Sequence, residues 1–214
     1  PGGASFVNNE IVLLDKHGSG QRLASQAEVR LRGRHNLSNI LAACLLAREV
    51  GVSHDAMRRV ITTFAGVEHR LEWVREHRQV NYYNDSIATS PERLIAALNS
   101  FCEPVVLLAG GRDKHLPWQE AARLIIQKTH DVILFGEATE IIAGAVNKMR
   151  SDVTGTDTFL HRCVNLEEAV YLAAQVAQPG DVVLLAPGCA SFDQFQDFAK
   201  RGERFKEVVL NLDS

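Results

Sequence analysis

Residues Val80–Leu98 read VNYYNDSIATSPERLIAAL, and the change of character along them sets the fold class. Val80, Tyr82 and Tyr83 are the β-branched and aromatic residues of a strand. Asn84-Asp85-Ser86 and Thr89-Ser90 then crowd amide, carboxylate and hydroxyl groups into seven positions. Ser90 suits a helix N-cap, Pro91 the first helical position and Glu92 the positive end of the helix dipole. Leu94, Ile95 and Leu98 continue as an apolar stripe at helical spacing. A polar loop between the carboxyl end of a strand and the amino end of a helix is where α/β proteins bind ligands, anions above all.

Outward from this segment the unit repeats. Leu71–Val74 and Gln79–Tyr83 are predicted to pair as strands. Helices over Pro91–Phe101, Trp118–Lys128, Thr139–Met149 and Leu166–Ala177 alternate with strands over Pro104–Ala109, Asp131–Phe135, Thr158–His161 and Asp181–Ala186. A last helix is expected from about Gln194 to Val209. Val105–Leu108 and Val182–Leu185 are unbroken apolar runs, as in parallel strands covered on both faces. The expected architecture is α/β: a Rossmann-like, mostly parallel sheet with helices on both faces. Ahead of it, Phe6-Val7 and Ile11–Leu14 read as short strands about the turn Asn8-Asn9. Lys16–Gly20 is a second turn, and Ala27–Leu31 is expected to extend again. The Ala- and Leu-rich Ile40–Val50 and the segment Asp55–Phe64 are predicted helices. A small α+β domain over residues 1–70 is thus expected before a second domain over 71–214.

The 214-residue chain is 46% hydrophobic and 23% charged with a formal net charge of -3. No bulk basic field would draw nucleic acid, and no apolar run is long enough to span a bilayer. Cys44, Cys102, Cys163 and Cys189 are widely spaced, which suits reduced, mostly buried thiols in a cytoplasmic protein. The start, Pro1-Gly2-Gly3, lacks the pattern of a signal peptide and has no Met, so a piece of a longer protein is expected.

The carboxyl ends of the expected strands gather the chemistry: Asn84–Ser90, Gly110–His115, Gly136–Thr139 and Pro187–Ser191. Gly110-Gly111 permits close backbone approach and Lys114 carries a movable ammonium. Ser191 suits either a ligand or a helix cap. Phe192, Phe195 and Phe198, spaced three apart, are expected in the core, with one near the rim also able to stack on a ligand, and Arg201, Arg204 and Lys206 are expected on a solvated face or capping the helix C-terminus. Asn36 and Asn39 share a helix face, with amides suited to a purine edge or a cap. Arg70, next to His69 at the domain boundary, is placed to reach a nucleotide or to form a hinge ion pair. No Walker A, G-x-G-x-x-G, G-x-S-x-G or H-E-x-x-H motif occurs in the sequence.

In order and spacing, Gly33-Arg34-His35-Asn36 with Asn39, His69-Arg70, Asn84–Thr89, Gly110–Lys114 and Cys189–Phe195 resemble the Mur ligases, in the branch that adds D-glutamate. The resemblance spans nearly the whole chain from Leu31. It implies that residues 1–70 end a central ATP-binding domain and 71–214 form a Rossmann-like amino-acid-binding domain. It implies an ATP- and Mg2+-dependent amide ligase of bacterial peptidoglycan synthesis in the cytoplasm. Such an enzyme activates UDP-N-acetylmuramoyl-L-alanine as an acyl phosphate for attack by D-glutamate. On the matching positions Asn36, Asn39, Arg70 and Asp85 would contact ATP, and Thr89, Lys114, Ser191 and Phe198 would hold D-glutamate. Some members carry a lysine where this chain has Ile87, which leaves carboxylate binding to Lys114 or other groups. The implied phosphate loop, metal ligands and UDP site lie upstream in the family, so these residues alone are expected to be inactive. Open alternatives are a different Mur-type ligase, a folylpolyglutamate-synthase-like ligase, or a non-catalytic nucleotide- or amino-acid-binding module.

Overall fold

The computed structural model describes residues 2–150 and 157–212, apart from the side chains of Arg34 and His35. It divides into two compact units, residues 1–66 and 67–214. The boundary lies four residues ahead of position 70, because His69 and Arg70 belong to the second unit's own network. Its His69 amide donates to Glu72 at 2.9 Å and the His69 carbonyl accepts from Ile87 at 3.2 Å.

In the first unit, β1 (Gly3–Val7), β2 (Glu10–Leu14) and β3 (Gly20–Ser25) form an antiparallel meander. The β1–β2 turn is the Asn8-Asn9 pair, both at positive φ, as a tight two-residue hairpin requires. Helices α1 (Arg34–Glu49) and α2 (His54–Thr63) pack Leu37, Ile40, Cys44, Met57 and Ile61 against Ile11, Leu13 and Leu23. Ser53 caps α2 by accepting from the Ala56 amide. Over Ala27–Leu31 the chain forms no strand, although Val29 is extended. The third strand is Gly20–Ser25, followed by a 3-10 turn over Gln26–Glu28. The Glu28 carboxylate ends the strand by accepting from the Ser25 amide at 2.8 Å and the Ser25 hydroxyl at 3.0 Å.

In the second unit, β4 (Glu72–His77) and β5 (Val80–Asn84) form an antiparallel hairpin. Its two-residue turn, Arg78-Gln79, again has both φ values positive. Then follow α3 (Pro91–Leu98), β6 (Val105–Gly110), α4 (Gln119–Lys128), β7 (Thr129–Phe135) and α5 (Thr139–Met149). The unit closes with β8 (Phe159–Cys163), α6 (Leu166–Val176), β9 (Val182–Gly188) and α7 (Phe198–Leu210). The sheet order is β4-β5-β9-β6-β7-β8, parallel except for the edge strand β4. This is the expected α/β architecture with helices on both faces.

The unbroken apolar runs are explained by two cores. Val105, Leu107 and Ala109 of β6 face α3, α4 and α5, while Val106 and Leu108 face α6 and α7. β9 alternates in the same way, with Val182, Leu184 and Ala186 on the first side and Val183 and Leu185 on the second. Each fully buried Leu or Val contributes about 1.5–3 kcal/mol relative to exposure.

The last helix begins at Phe198, four residues later than expected, because Asp197 caps it by accepting from the Lys200 amide at 2.8 Å. Phe192 and Phe195 therefore lie on the preceding loop and share no helical face with Phe198. Phe192 is 62% exposed and Phe198 36%, so only Phe195 packs against a core. Those two aromatics are not core residues, contrary to their spacing.

Gly110 ends β6 at φ +146°, where an added Cβ would lie 1.8 Å from the Phe135 carbonyl oxygen. Gly110→Ala is expected to destabilise the chain by about 3 kcal/mol or more through steric conflict and backbone strain. Urea denaturation of the variant beside the wild type checks this.

Candidate functional site

The chain leaves β6 into α4 on one face of the sheet and leaves neighbouring β9 toward α7 on the other. Between the carboxyl ends of these strands the connections diverge, and such a switch point is where open α/β sheets take ligands. Loops following β5, β9, β6 and β7 line that rim, side by side.

Backbone bonds knit the loops together. Arg112 and Ala190 exchange amide–carbonyl bonds of 2.8 and 3.0 Å, joining the loops after β6 and β9. The Gly188 amide donates to Ala88 at 2.8 Å, and the Ala138 amide to Gly111 at 2.8 Å. Asp193 adds a carboxylate that accepts from the Glu137 amide at 3.3 Å. Gly136 leaves room for it, since a Cβ there would lie 2.2 Å from that carboxylate.

Beneath the rim lies Arg201. Its side chain is wholly buried. Nε donates to the Ser86 hydroxyl at 3.0 Å and Nη2 to the Ser86 carbonyl at 2.9 Å. Nη1 and Nη2 both donate to the Cys189 carbonyl, at 3.2 and 3.1 Å. The Ser86 hydroxyl in turn donates to the Phe198 carbonyl at 2.7 Å. Burial lowers the Arg201 guanidinium to about 10, so it stays charged at neutral pH. The expectation that Arg201 is solvated is overturned. It shares the inward face of α7 with Phe205, Val208 and Val209, at the spacing i, i+4, i+7, i+8. That periodicity was the available signal; the charge masked it. Arg204 and Lys206 do lie outside, paired with Glu167 and Glu207 and with Glu68 and Glu72 respectively.

Asn84 is also buried. Its amide nitrogen donates to Glu72 at 3.0 Å and lies 3.0 Å from His69 Nδ1, while its oxygen accepts from the Ser86 amide at 3.1 Å. Asp85 accepts from the Leu71 amide at 3.0 Å. Burial raises its carboxyl to about 6, against the opposing pull of that amide and of Arg70 and Arg93. Burial likewise pushes the Cys189 thiol up to about 12, with Asp113 adding to the shift, which rules it out as a nucleophile at neutral pH.

Of the residues singled out from the sequence, Arg70, Asp85, Thr89, Lys114, Ser191 and Phe198 all lie on or beside this rim. The Lys114 ammonium donates to the Thr89 hydroxyl at 3.1 Å. Ser191 is buried and does not cap α7, a role taken by Asp197. The Phe198 ring meets His69 edge-on at 6.2 Å. Arg70 is exposed within Coulombic range of Asp85. Asn36 and Asn39 belong to α1 of the first unit. Gly33 occupies its N-cap, so neither asparagine caps it, and the Asn36 amide donates to the Arg32 carbonyl at 2.7 Å. Ser90 caps α3 as expected, accepting from Arg93 at 3.4 Å. Sequence reasoning passed over Arg93, whose Nη1 donates to the Ile87 carbonyl at 3.1 Å. Among the described residues no three His, Cys, Asp or Glu are grouped to hold a metal ion, and no helix is long and apolar enough to cross a membrane.

Comparison with known proteins fits this geometry. Residues 69–189 match the family model "Mur ligase, glutamate ligase domain". The chain is 42% identical over 211 residues to UDP-N-acetylmuramoylalanine–D-glutamate ligase of Clostridium novyi, covering 98% of this chain and 44% of that protein. The fold is shared with UDP-N-acetylmuramate–alanine ligase MurC of Thermotoga maritima, at TM-score 0.63 and 17% identity over 98% of this chain and 45% of that one. It is also shared with the MurF ligase of Thermotoga maritima in complex with ADP, at TM-score 0.58 and 19% identity over 96% and 44%. With its parallel sheet, its rim of polar loops and this family match, the chain belongs to the Mur ligases. It spans less than half the length of the relatives it matches.

Two outcomes follow for the rim. Asp85 holds a proton in the folded chain between about pH 4 and 6 that the unfolded chain has lost. Stability is therefore expected to fall as pH rises through that window. Asp85→Asn keeps the acceptor for Leu71 and removes the charge. It should stabilise the chain at pH 7.5 by up to about 2 kcal/mol and change little near pH 4, read from thermal melts across pH. Arg201→Met strips the Ser86 and Cys189 carbonyls of their donor and is expected to cost about 3 kcal/mol or more in urea denaturation.

Proposed function

We propose that this chain supplies the amino-acid-binding part of an ATP-dependent ligase joining D-glutamate to UDP-N-acetylmuramoyl-L-alanine in the bacterial cytoplasm. The observation that carries the proposal is the Lys114 ammonium set on the Thr89 hydroxyl beside the switch point. A cation held by a neutral group keeps two of its three N–H donors for an incoming carboxylate. The 42% identical relative named for this reaction supplies the substrate.

In this reading residues 1–70 end an ATP-binding domain and 71–214 form the amino-acid domain. Asn36, Asn39, Arg70 and Asp85 are assigned to ATP, and Thr89, Lys114, Ser191 and Phe198 to D-glutamate. ATP would supply the phosphoryl group that activates the acceptor carboxylate as an acyl phosphate. The work of this chain is to hold the amino acid with its amine free, and orientation of that kind is a large part of amide-bond formation. Lys114 fixes a carboxylate, the Thr89 and Ser191 hydroxyls give it orientation, and the Phe198 ring walls one side. The raised Asp85 carboxyl is set close to neutrality, where an approaching cation or phosphate shifts its charge. The magnesium ligands are assigned, with the phosphate loop, to the part of the protein upstream of these residues. With no Walker A sequence of its own, the isolated chain is proposed not to turn over.

Steady-state kinetics on the full-length protein carrying this chain test the assignment. Lys114→Ala and Thr89→Ala should raise the KM for D-glutamate at least tenfold, with the KM for ATP little changed. Asp85→Ala should instead raise the ATP requirement. Turnover by the isolated chain, or preference for another amino acid in competition, would overturn the reading.

A further inference from the structure

Between β6 and α4 the chain runs from Arg112 to Trp118 as neither strand nor helix. Its start is fixed by the Arg112–Ala190 backbone pair and its end by Trp118, which is buried. Arg112, Lys114, His115, Leu116 and Pro117 are all exposed. Asp113 alone among residues 112–117 is turned in, its side chain 11% exposed. Its Oδ2 accepts from the His115 amide at 2.8 Å, and its Oδ1 accepts from Trp118 Nε1 at 3.3 Å. The first bond spans Lys114 and joins the residues on either side of it, as an Asx turn does. His115 in that turn has φ +56°, a left-handed conformation that an L residue keeps only where something holds it.

The second bond ties the turn to a fixed point of the rim. The Trp118 ring lies against Gly188, where a Cβ would come within 2.6 Å of it. The Gly188 amide donates to the Ala88 carbonyl at 2.8 Å, and Ala88 precedes Thr89 in the chain. Lys114 and Thr89 are therefore located from one place, the former through Asp113 and Trp118, the latter through Ala88. A lysine ammonium moves on a flexible four-carbon stem, so the backbone beneath it decides what it can reach. Both Asp113 oxygens are engaged by N–H donors, and the Lys114 ammonium bonds the Thr89 hydroxyl instead of the adjacent carboxylate.

We propose that Asp113 is a positioning residue of this site: it sets the backbone beneath Lys114 so that the ammonium stands at Thr89, ready for a carboxylate of the amino acid. The inference rests on the amino-acid-binding role proposed above and deepens it by assigning a group that acts on the substrate only through Lys114.

A double-mutant cycle in the full-length protein tests this, with Asp113→Ala, Lys114→Ala and the pair, read as the KM for D-glutamate and for ATP. Asp113→Ala should raise the KM for D-glutamate about fivefold or more and leave that for ATP within about twofold. In the Lys114→Ala background the same change should add less than about twofold, because the group it positions is already gone. Asp113→Asn keeps an acceptor for the His115 amide and should recover part of the loss. A full additional factor in the Lys114→Ala background means that Asp113 touches the substrate or merely steadies the domain, and it overturns the inference. So does an unchanged KM for D-glutamate in a folded Asp113→Ala protein. If thermal melting shows that Asp113→Ala does not fold, Asp113→Asn takes its place in the cycle. A rise of about threefold or more is then expected, lost in the Lys114→Ala background, and the same two results overturn the inference. If Lys114→Ala itself leaves the KM for D-glutamate unchanged, the functional reading falls and the inference with it. A raised KM in Lys114→Ala with none in the folded Asp113 variant removes the inference alone.

Discussion

The rim of the second unit depends on one buried cation. Arg201 enters from α7 and satisfies carbonyls of two loops that otherwise end separate strands, Ser86 after β5 and Cys189 after β9. A guanidinium is suited to this because its five donors lie in one plane and stay charged even when burial opposes the charge. Neither loop has a regular ladder to hold it, so the backbone groups at their tips need a donor from elsewhere. The arginine also couples the strand layer to α7. Loop geometry at the rim is thereby tied to packing in the apolar core behind it.

Around that brace the electrostatics are graded by depth. Deepest is Arg201, a charge bonded only to neutral oxygens. Next is Asp85, with its carboxyl raised by burial and one amide donor. Outermost are Arg70, Arg93 and Lys114, exposed cations around the loop. A site of this kind presents positive charge to an approaching anion while its interior is fixed by hydrogen bonds that solvent cannot reach. This is the arrangement that orientation-based catalysis asks of a binding domain.

Much of the fold was legible because the signals were local. The Asn8-Asn9 turn, the Ser90 cap and the paired apolar runs of β6 and β9 all follow from a few neighbouring residues. Thr89 and Lys114 were legible for a related reason, as polar residues at the ends of predicted parallel strands. Of three readings that differ from the structure, one turns on partners distant in sequence: charge marks Arg201 as solvated, and only its contacts more than a hundred residues away explain its burial. The other two turn on nearby side chains that outweigh the pattern. The spacing of Phe192 and Phe198 is helical, but Asp197 starts the helix after the first of them. The strand expected at Ala27–Leu31 yielded to the Glu28 carboxylate, which closes on Ser25.

The sequence by itself determined the alternation of strands and helices, the two-sided burial of the central strands and the gathering of polar residues at one end of the sheet. These follow from periodicity and from turn and cap chemistry, which act within a few residues. Only the tertiary structure decided the strand order, with β9 inserted between β5 and β6, and hence which loops become neighbours. That order puts Ser86 and Cys189 within reach of one guanidinium and Thr89 within reach of Lys114. Contacts between residues so far apart in the chain are set by how sheets and helices pack, and no local pattern encodes them.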